Sequence, residues 1–523
     1  MYHAPVAAMR KHSDVGRLLV AAAMLFALGA LAYDAQAFVG AALKAIRYPF
    51  ELDYGEGIVW QQAQQMRDGT AYGGITGFPS IVFHYPPLYH SLTLVVAGLS
   101  GLDMLMAGRI VSVASTLLTS LFAGLIGFRT VAGDIGGKAA ALCGTVAGLA
   151  VLTLWPVTSW GPLMRVDMVA LAFGLAGIWF AMQAFTRPRL VHAAAACFVA
   201  AVYAKQTAIA APAAAFLTLL LLKPRTALAG IASSVLIGLA VLAPLTWVTD
   251  GGFVRHIFLY NINRLDPSRL VALLAVLARH GAYLAVVAIG LAKLPGTRRL
   301  FAIRELRARL AGSQSDACLL LLVTYLGFAA VMMLTIVKIG SNINYFLEAL
   351  CAIAILVGVV CKTAADAIVR GVDVERPASL LLRVALPVVI GVQALSVPAP
   401  LDTELDDAGM RQSRQLVEMI RTADRPVISD DMVLVKRAGR EVVWEPSIFA
   451  ELASKGVWDE RPFVARIRSG GFAFFVTRGE RGQRLFDSRY TPAVADAMDA
   501  AYPVRRRVGG YVLHLPRSEA TAR

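Results

Sequence analysis

Long apolar runs most constrain what this chain can fold into. The runs 18–31, 104–128, 227–248 and 319–337 are mostly near the ~20 residues that cross a bilayer as a helix. Only 16% of the 523 residues are Asp, Glu, Lys or Arg, whereas soluble domains are close to a quarter charged. So little charge cannot coat a soluble protein of this size. The sequence therefore predicts a mostly α, polytopic transmembrane helix bundle.

The hydropathy pattern predicts about eleven spans, of which the first is a retained helix and not a cleaved signal peptide. We place them near 17–38, 104–127, 138–155, 167–185, 191–207, 208–222, 227–248, 270–294, 317–337, 346–361 and 383–398. Within residues 1–400, most basic residues fall in alternate loops, which the positive-inside rule assigns to the cytoplasm. These are Arg10, Lys11, Arg17, Arg129, Lys138, Arg187, Arg189, Lys223, Arg225, Arg298, Arg299, Arg304, Arg307, Arg309, Lys362, Arg370 and Arg376. The formal charge of +15 thus reflects topology, and no nucleic-acid partner is expected.

Two domains are predicted. Residues 1–400 form the membrane bundle, which includes a first external loop at 39–103, and 401–523 form a small soluble α/β domain. The basic loops place the N-terminus in the cytoplasm, so an odd number of spans places this second domain outside it. Its predicted strands lie at 425–429, 441–444, 472–476 and 510–515, with helices near 409–422, 446–455, 459–468 and 493–501. The apolar segment 86–101 begins with two prolines, so we expect a helix against the outer surface rather than a span.

Acidic side chains in the first external loop are candidates for catalysis. Asp53 and Glu56 precede an amphipathic helix that ends near Met66. A carboxylate beside a low-dielectric surface tends to have a raised pKa and can serve as a base or a metal ligand. A solvated loop with acids at a helix start explains the same residues equally well.

Charged residues also lie at membrane depth in two later external segments. Arg165 and Asp167 lead directly into a span, and Lys205 interrupts an apolar stretch. Such groups face the bundle interior and are functional candidates, and Lys205 could bind a lipid phosphate. The alternatives are an Arg165–Asp167 ion pair that caps the helix, and a lysine that snorkels to the interface.

The segment 338–348 is dense in groups that could bind a sugar. Asn342, Asn344 and Glu348 provide hydrogen-bonding groups and Tyr345 an aromatic face. A polar hairpin capping two helices would explain Asn342 but not Glu348. The loop 250–266 could be a substrate lid, and Arg109, Arg279 and His280 should face polar partners.

Several short motifs, in order, carry a resemblance to a known family. They are Asp53-Tyr-Gly-Glu56, Tyr85-Pro-Pro-Leu-Tyr89, Ala107-Gly-Arg109 and Asp167. Over about residues 17–400 the chain resembles the GT-C superfamily of membrane glycosyltransferases, in the glycosyltransferase family 39-like branch of protein O-mannosyltransferases and the aminoarabinose transferase. The resemblance implies a helix bundle with an extracytoplasmic active site that transfers sugar from a polyprenyl phosphate with inversion.

The resemblance also implies roles for the candidate residues. The base would be Asp53 or Glu56, because the family's Asp-Glu doublet falls here on Gly55-Glu56, and Asp167 would orient the base or the acceptor. Lys205 and Arg165 would hold the donor phosphate, and Tyr85, Asn342, Asn344, Tyr345 and Glu348 would bind donor or sugar. Some relatives use a divalent cation at these acids and others use none, so no cofactor is assigned.

The sequence thus predicts an inner-membrane glycosyltransferase with its active site on the extracytoplasmic, periplasmic face. Its partners would be a polyprenyl-phosphate-linked sugar, a lipid or cell-envelope glycan acceptor and the surrounding membrane lipids. A transporter or flippase of a lipid-linked saccharide is the alternative. That class is typically built from inverted repeats with broken helices in matching halves, and the sequence shows no such halves.

Overall fold

A computed structural model describes residues 4–261, 263–294, 303–309, 314–371, 377–396 and 407–517, with side chains from Asp14 onward except those of Ile303 and Arg309. The predicted loop residues Arg298, Arg299 and Arg376 lie outside the described residues, as do the side chains of Arg10, Lys11 and Arg309. The predicted domain boundary at 400/401 also lies outside them.

Helices make up nearly all of the first 400 residues. Their bounds are α1 Ala4–Arg47, α2 Glu56–Arg67, α3 Leu88–Ser100, α4 Met104–Ile135, α5 Gly137–Val151, α6 Trp155–Trp160, α7 Asp167–Ala184, α8 Leu190–Ala204, α9 Ala210–Leu222, α10 Pro224–Val248, α11 Gly252–Val254, α12 Leu270–Arg279, α13 Gly281–Lys293, α14 Ile303–Arg309, α15 Ser315–Met333, α16 Leu347–Val360, α17 Lys362–Arg370 and α18 Pro377–Leu395. Single π or 3-10 turns at Arg255–Leu259, Pro267–Arg269, Leu334–Val337 and Ile343–Phe346 complete this part.

The helices match the predicted spans. Within the described ranges, seven helical segments are long and apolar enough to cross a membrane, and the bent pair α12–α13 is an eighth. The shorter helices α5, α8 and α9 coincide with the three remaining predicted spans. The other short apolar helix, α3, is the one that the sequence places on the outer surface. The polytopic helical fold is therefore confirmed, whereas the number of helices that cross a bilayer stays a prediction.

Small residues let the central helices pack closely. A Cβ atom on Gly358 of α16 would lie 2.4 Å from the carbonyl oxygen of Cys143 and 2.6 Å from the Ala147 side chain, both on α5. Without a strong hydrophobic force between helices in lipid, such close backbone approach supplies the packing energy. The α16 span is accordingly among the most buried of the bundle, whereas α10 exposes most of its surface.

The break between α12 and α13 is held by polar side chains. The two helices meet at His280 with a bend of 70°. Gln393 of α18 accepts from the Ala282 N–H (3.1 Å) and donates to the Arg279 carbonyl (2.8 Å), and His280 accepts from the Trp155 N–H (3.3 Å). Backbone groups freed by a broken membrane helix need such partners. His280 thus has the polar partners expected from the sequence, whereas the Arg279 guanidinium lies 4.4 Å from the centre of the Trp155 ring.

The C-terminal region is an α/β unit, as predicted. Its elements are α19 Asp407–Thr422, β1 Ile428–Ser429, α20 Met432–Arg437, α21 Pro446–Ser454, α22 Arg461–Arg468, β2 Phe475–Thr477, α23 Arg484–Asp487, α24 Pro492–Ala501, β3 Val504–Val508 and β4 Tyr511–Leu515. The sheet has the order β1-β2-β4-β3, in which β1 and β2 are parallel and the other pairs antiparallel.

One predicted strand of this unit is wrong, and one real strand was not predicted. Segment 441–444 is not a strand, because its backbone bonds to the first loop instead. The Val442 N–H donates to Gln61 Oε1 (3.1 Å), and the Val443 carbonyl accepts from the Ser80 N–H (2.9 Å). Strand β3 carries three consecutive arginines, which hide the alternation of apolar and polar residues that marks a strand.

A buried ion pair ties the first loop to the membrane bundle. Arg109 of α4 donates from Nε and Nη2 to the two carboxylate oxygens of Glu56, at 2.8 and 2.7 Å, and neither side chain is exposed to solvent. The same guanidinium donates to the carbonyls of Ala45, Tyr48 and Phe50 at 2.6–2.7 Å. It therefore fixes the turn between α1 and α2.

We expect Arg109→Met to destabilise the protein by about 3–5 kcal/mol, because it leaves the Glu56 carboxylate buried without its cation. The measurement is thermal unfolding of the purified protein in detergent. The matched control is Arg67→Met, which removes an exposed ion pair to Asp68 and should cost about 0–1 kcal/mol. Equal melting temperatures for the two variants would contradict the role given to Arg109.

Candidate active site

A large polar cavity lies at one end of the helix bundle, beneath the C-terminal unit. Its volume is about 930 Å³. The bundle contributes loops and helix ends, and the C-terminal unit contributes the opposite wall. The lining residues lie within 54–58, 84–85, 205–207, 257–261, 263–269, 338–345, 445–451 and 484–489, together with Arg165. The predicted external segments thus converge on one space, which includes part of the predicted lid.

Asp53 and Arg165 form an ion pair at the edge of this cavity. Arg165 Nη1 lies 3.4 Å from Asp53 Oδ2, which also accepts from the Gly55 N–H (3.1 Å). Burial alone would lower the pKa of Arg165, but the nearby Tyr85 and Asp53 outweigh it and raise the pKa above its ordinary value. No described residue hydrogen-bonds to Asp53 Oδ1, and the side chain is 18% exposed. Asp53 therefore keeps one oxygen available.

Asp167 is bound on both oxygens by neighbouring donors. Its Oδ1 accepts from Lys205 Nζ (2.6 Å) and Asn344 Nδ2 (2.9 Å), and its Oδ2 accepts from Trp160 Nε1 (2.7 Å). The alternative Arg165–Asp167 pair is not formed among the described ion pairs, because Arg165 turns to Asp53. Asp167 is therefore arranged to hold Lys205 and Asn344 in place.

Lys205 lies where two cavities meet. It lines the large cavity and also a smaller one of about 40 Å³, which Asp167, Asn344, Tyr345 and Glu348 border as well. Burial opposes the charge of Lys205, but Asp167 and Tyr345 raise its pKa above the ordinary value, so the ammonium stays charged. Its Nζ is 5.0 Å from the centre of the Tyr345 ring.

Glu56 does not reach the cavity. Besides Arg109, its carboxylate accepts from the N–H groups of Leu52 (2.8 Å) and Met164 (2.9 Å). Four N–H donors therefore bind the Glu56 carboxylate, and the Glu56 side chain is not exposed to solvent. The two acids that the sequence leaves as alternatives for a base thus have different surroundings, and only Asp53 has a free oxygen.

The remaining predicted residues divide between the two cavities. Tyr85, Asn342, Asn344 and Tyr345 line the large cavity, while Glu348 borders only the small one. Asn342 is exposed, and its Oδ1 accepts from the Ile343 N–H (2.8 Å), which caps the following turn. The capping alternative thus describes Asn342, although the residue still faces the cavity.

Several lining residues were not predicted from the sequence. His84 borders the cavity, and burial followed by the charge of Arg165 lowers its pKa to about 4. The C-terminal unit adds Glu445, Glu451 and Arg489. The sequence around these three residues does not mark them as site residues. The sequence of a charged, soluble segment does not show which of its faces packs on the bundle.

The predicted acids do not fit a metal site. Within the part of the chain that the structure describes, no three His, Cys, Asp or Glu side chains are grouped to hold a metal ion. The charges of Asp53 and Asp167 are already paired with Arg165 and Lys205. The cations of Arg165 and Lys205 line the large cavity, which suits an anionic ligand.

Comparisons with known proteins give structural matches. No protein-family model matches the chain, and no curated protein matches it in sequence. The crystal structure of apo ArnT, the aminoarabinose transferase of Cupriavidus metallidurans, has a TM-score of 0.52 at 14% identity, over 91% of this chain and 96% of ArnT. ArnT bound to undecaprenyl phosphate has a TM-score of 0.51 at 15% identity, over 95% and 97%.

A third similar structure is the apo oligosaccharyltransferase of Archaeoglobus fulgidus, with a TM-score of 0.47 at 11% identity, over 85% of this chain and 69% of that one. The ArnT comparisons extend through nearly the whole of both chains and therefore include the C-terminal unit. The chain is a polytopic membrane protein with the GT-C fold, as its motifs predict.

Gly55→Ala tests the expected role of Arg165 in holding a donor phosphate. An added Cβ would lie 1.3 Å from Arg165 Nη1, so the guanidinium must leave Asp53 and the cavity edge. Because the displaced group ends a flexible side chain, the fold should survive. Loss of one charge-assisted contact predicts about a tenfold higher Kd for undecaprenyl phosphate, measured by titration in detergent.

The control for this variant is Gly74→Ala, in the same loop. An added Cβ there meets no atom within 4 Å, so affinity should not change. Unchanged affinity in Gly55→Ala would exclude Arg165 from phosphate binding.

Proposed function

We propose that this protein is an integral membrane glycosyltransferase that moves a sugar from a polyprenyl-phosphate donor to a lipid or cell-envelope glycan acceptor. The site would lie on the extracytoplasmic face of the inner membrane. The observation that carries the proposal is the large cavity at one bundle end, which the largely buried cations Lys205 and Arg165 line. Asp53 lies beside it, paired with Arg165 through one carboxylate oxygen. That the similar ArnT structure contains undecaprenyl phosphate supports the same donor class.

Each proposed step uses a group already in place. Asp53 takes the proton of an acceptor hydroxyl, and the hydroxyl oxygen attacks the anomeric carbon. The new C–O bond forms as the bond to the phosphate oxygen breaks, which inverts the configuration and releases polyprenyl phosphate. Lys205 and Arg165 stabilise the negative charge of the departing phosphate.

The polar residues of 338–348 support the sugar-binding part of the proposal. Asn344 is oriented by Asp167, and Tyr345 presents a ring beside Lys205. A sugar bound next to the phosphate would find a hydrogen-bonding amide and an aromatic face. Glu348, in the adjoining small cavity, lies one helical turn further into the bundle.

Asp53→Asn should strongly lower the rate of transfer while the protein still folds. General-base catalysis contributes about 10²–10⁴-fold, so kcat should fall within that range. The assay is transfer from radiolabelled polyprenyl-phosphate sugars to envelope lipids by purified protein.

Asp167→Asn should lower activity by loosening Lys205. Glu56→Gln should lower the melting temperature, because an amide N–H₂ cannot accept from the donors that surround Glu56.

Two results would overturn this assignment. Full transfer activity in Asp53→Asn would remove Asp53 as the base. Movement of a lipid-linked saccharide across vesicles without formation of a transfer product would favour a transporter.

The extracytoplasmic location has a separate test. At the end of the bundle away from the cavity, Lys362 contacts Asp134 (2.6 Å) and Arg129 contacts Gln314. The positive-inside rule assigns this basic end to the cytoplasm. Alkaline phosphatase fused to the C-terminus should therefore be active, whereas the same reporter fused after Lys293 should be inactive. The reverse pattern would place the site in the cytoplasm.

A further inference from the structure

The C-terminal unit contacts both ends of segment 51–57, which carries Asp53. Arg478 Nη2 lies 3.2 Å from Glu51 Oε1, at the beginning of this segment. At its end, a Cβ on Gly57 would lie 2.6 Å from atoms of Met432 and Val433, so α2 and α20 are in direct backbone contact. The segment between these points is therefore enclosed by the C-terminal unit on one side and by the bundle on the other.

Tyr54, the neighbour of Asp53, makes the most specific of these contacts. Its hydroxyl donates to Glu445 Oε1 at 2.5 Å and accepts from the Ser447 N–H at 3.3 Å. The guanidinium of Arg489 lies 4.0 Å from the centre of the Tyr54 ring, which is the geometry of a cation–π contact. The C-terminal unit therefore holds both the ring and the hydroxyl.

The groups that hold Tyr54 are themselves fixed. Arg489 is paired with Asp430 at 3.0 Å, and Asp430 also accepts from the Tyr490 hydroxyl (3.0 Å) and the Arg478 N–H (2.7 Å). Glu445 uses its second oxygen to accept from the Ile448 N–H (2.8 Å) and so caps α21. The two side chains that contact Tyr54, Glu445 and Arg489, thus have little rotational freedom.

We propose that Tyr54 is a positioning residue for Asp53, and that Glu445 and Arg489 make the C-terminal unit an integral part of the catalytic centre. The inference rests on the proposed function. Asp53 and Gly55 flank Tyr54 directly, and Arg165 fills the space above Gly55. Movement of Tyr54 therefore displaces both the acid and its cation. A displacement of about 1 Å at a reacting group can lower the rate by about 10²-fold.

Tyr54→Phe removes only the hydroxyl and keeps the ring beneath Arg489. The test measures kcat and KM for a polyprenyl-phosphate sugar and for the acceptor in the full-length protein. We expect kcat to fall by about 10- to 100-fold while both KM values stay within about twofold of the wild type. A rise in KM with unchanged kcat would mean that Tyr54 binds substrate directly, and would overturn the inference.

Variants of Glu445 separate positioning from a general structural role. Glu445→Ala removes the acceptor for Tyr54 and the cap of α21, whereas Glu445→Gln keeps an acceptor oxygen and should retain most activity. If Tyr54 and Glu445 act as one unit, the double variant Tyr54→Phe/Glu445→Ala should be no slower than Glu445→Ala alone. Independent, multiplying losses in the double variant would overturn the inference.

The matched control for the lost helix cap is Thr491→Ala. Thr491 caps α24 in the same unit by accepting from the Val494 N–H (3.3 Å). Among the described residues it forms no hydrogen bond with segment 51–57, so kcat should remain at the wild-type level. If Thr491→Ala lowers kcat as much as Glu445→Ala does, loss of stability in the unit explains both and the inference fails.

The outcomes also separate this inference from the proposed function. Wild-type protein that forms no transfer product, under conditions in which it binds polyprenyl phosphate, would defeat the proposed function and this inference with it. Wild-type transfer together with an unimpaired Tyr54→Phe variant would defeat the positioning role alone.

Discussion

The pairing of buried charges is the constraint that organises the site end of this protein. Arg109 shows the constraint most directly, because its guanidinium binds Glu56 and three carbonyls where no solvent reaches. An unpaired charge there would cost several kcal/mol, so the pair is obligatory once either residue is present. The pairing fixes the turn between α1 and α2. It also leaves Asp53, three residues before Glu56, at the cavity edge.

The same constraint explains how two acids and two cations are distributed in the proposed site. Asp53 pairs with Arg165 and Asp167 pairs with Lys205, so the partners come from different loops. Sequence neighbours such as Arg165 and Asp167 are not partners. Because the cations are held by acids that stay in place, they are already oriented toward the cavity before any anion enters. Such preorganisation avoids reorganisation during a reaction.

The C-terminal unit is part of the proposed site. It forms one wall of the cavity through Glu445, Glu451 and Arg489. It also contacts the ring and the hydroxyl of Tyr54. Contact with the bundle also changes the local structure of the unit. The backbone of segment 441–444 bonds to the first loop and not to a sheet. A unit that looks independent in composition is in fact joined to the bundle by specific hydrogen bonds.

The sequence alone determined the helical membrane fold, the positions of the span-length helices and the segments that meet at the cavity. Apolar length and periodicity are local properties, so they can be read without knowing any contact. The sequence left both Asp53 and Glu56 as candidates for the base. Their different surroundings depend on Arg109, which lies 53 residues after Glu56 and pairs with it. The sequence also did not show that residues near 445 and 489 reach the first loop. Which charge finds which partner is decided by packing between distant segments, and only the tertiary structure contains that information.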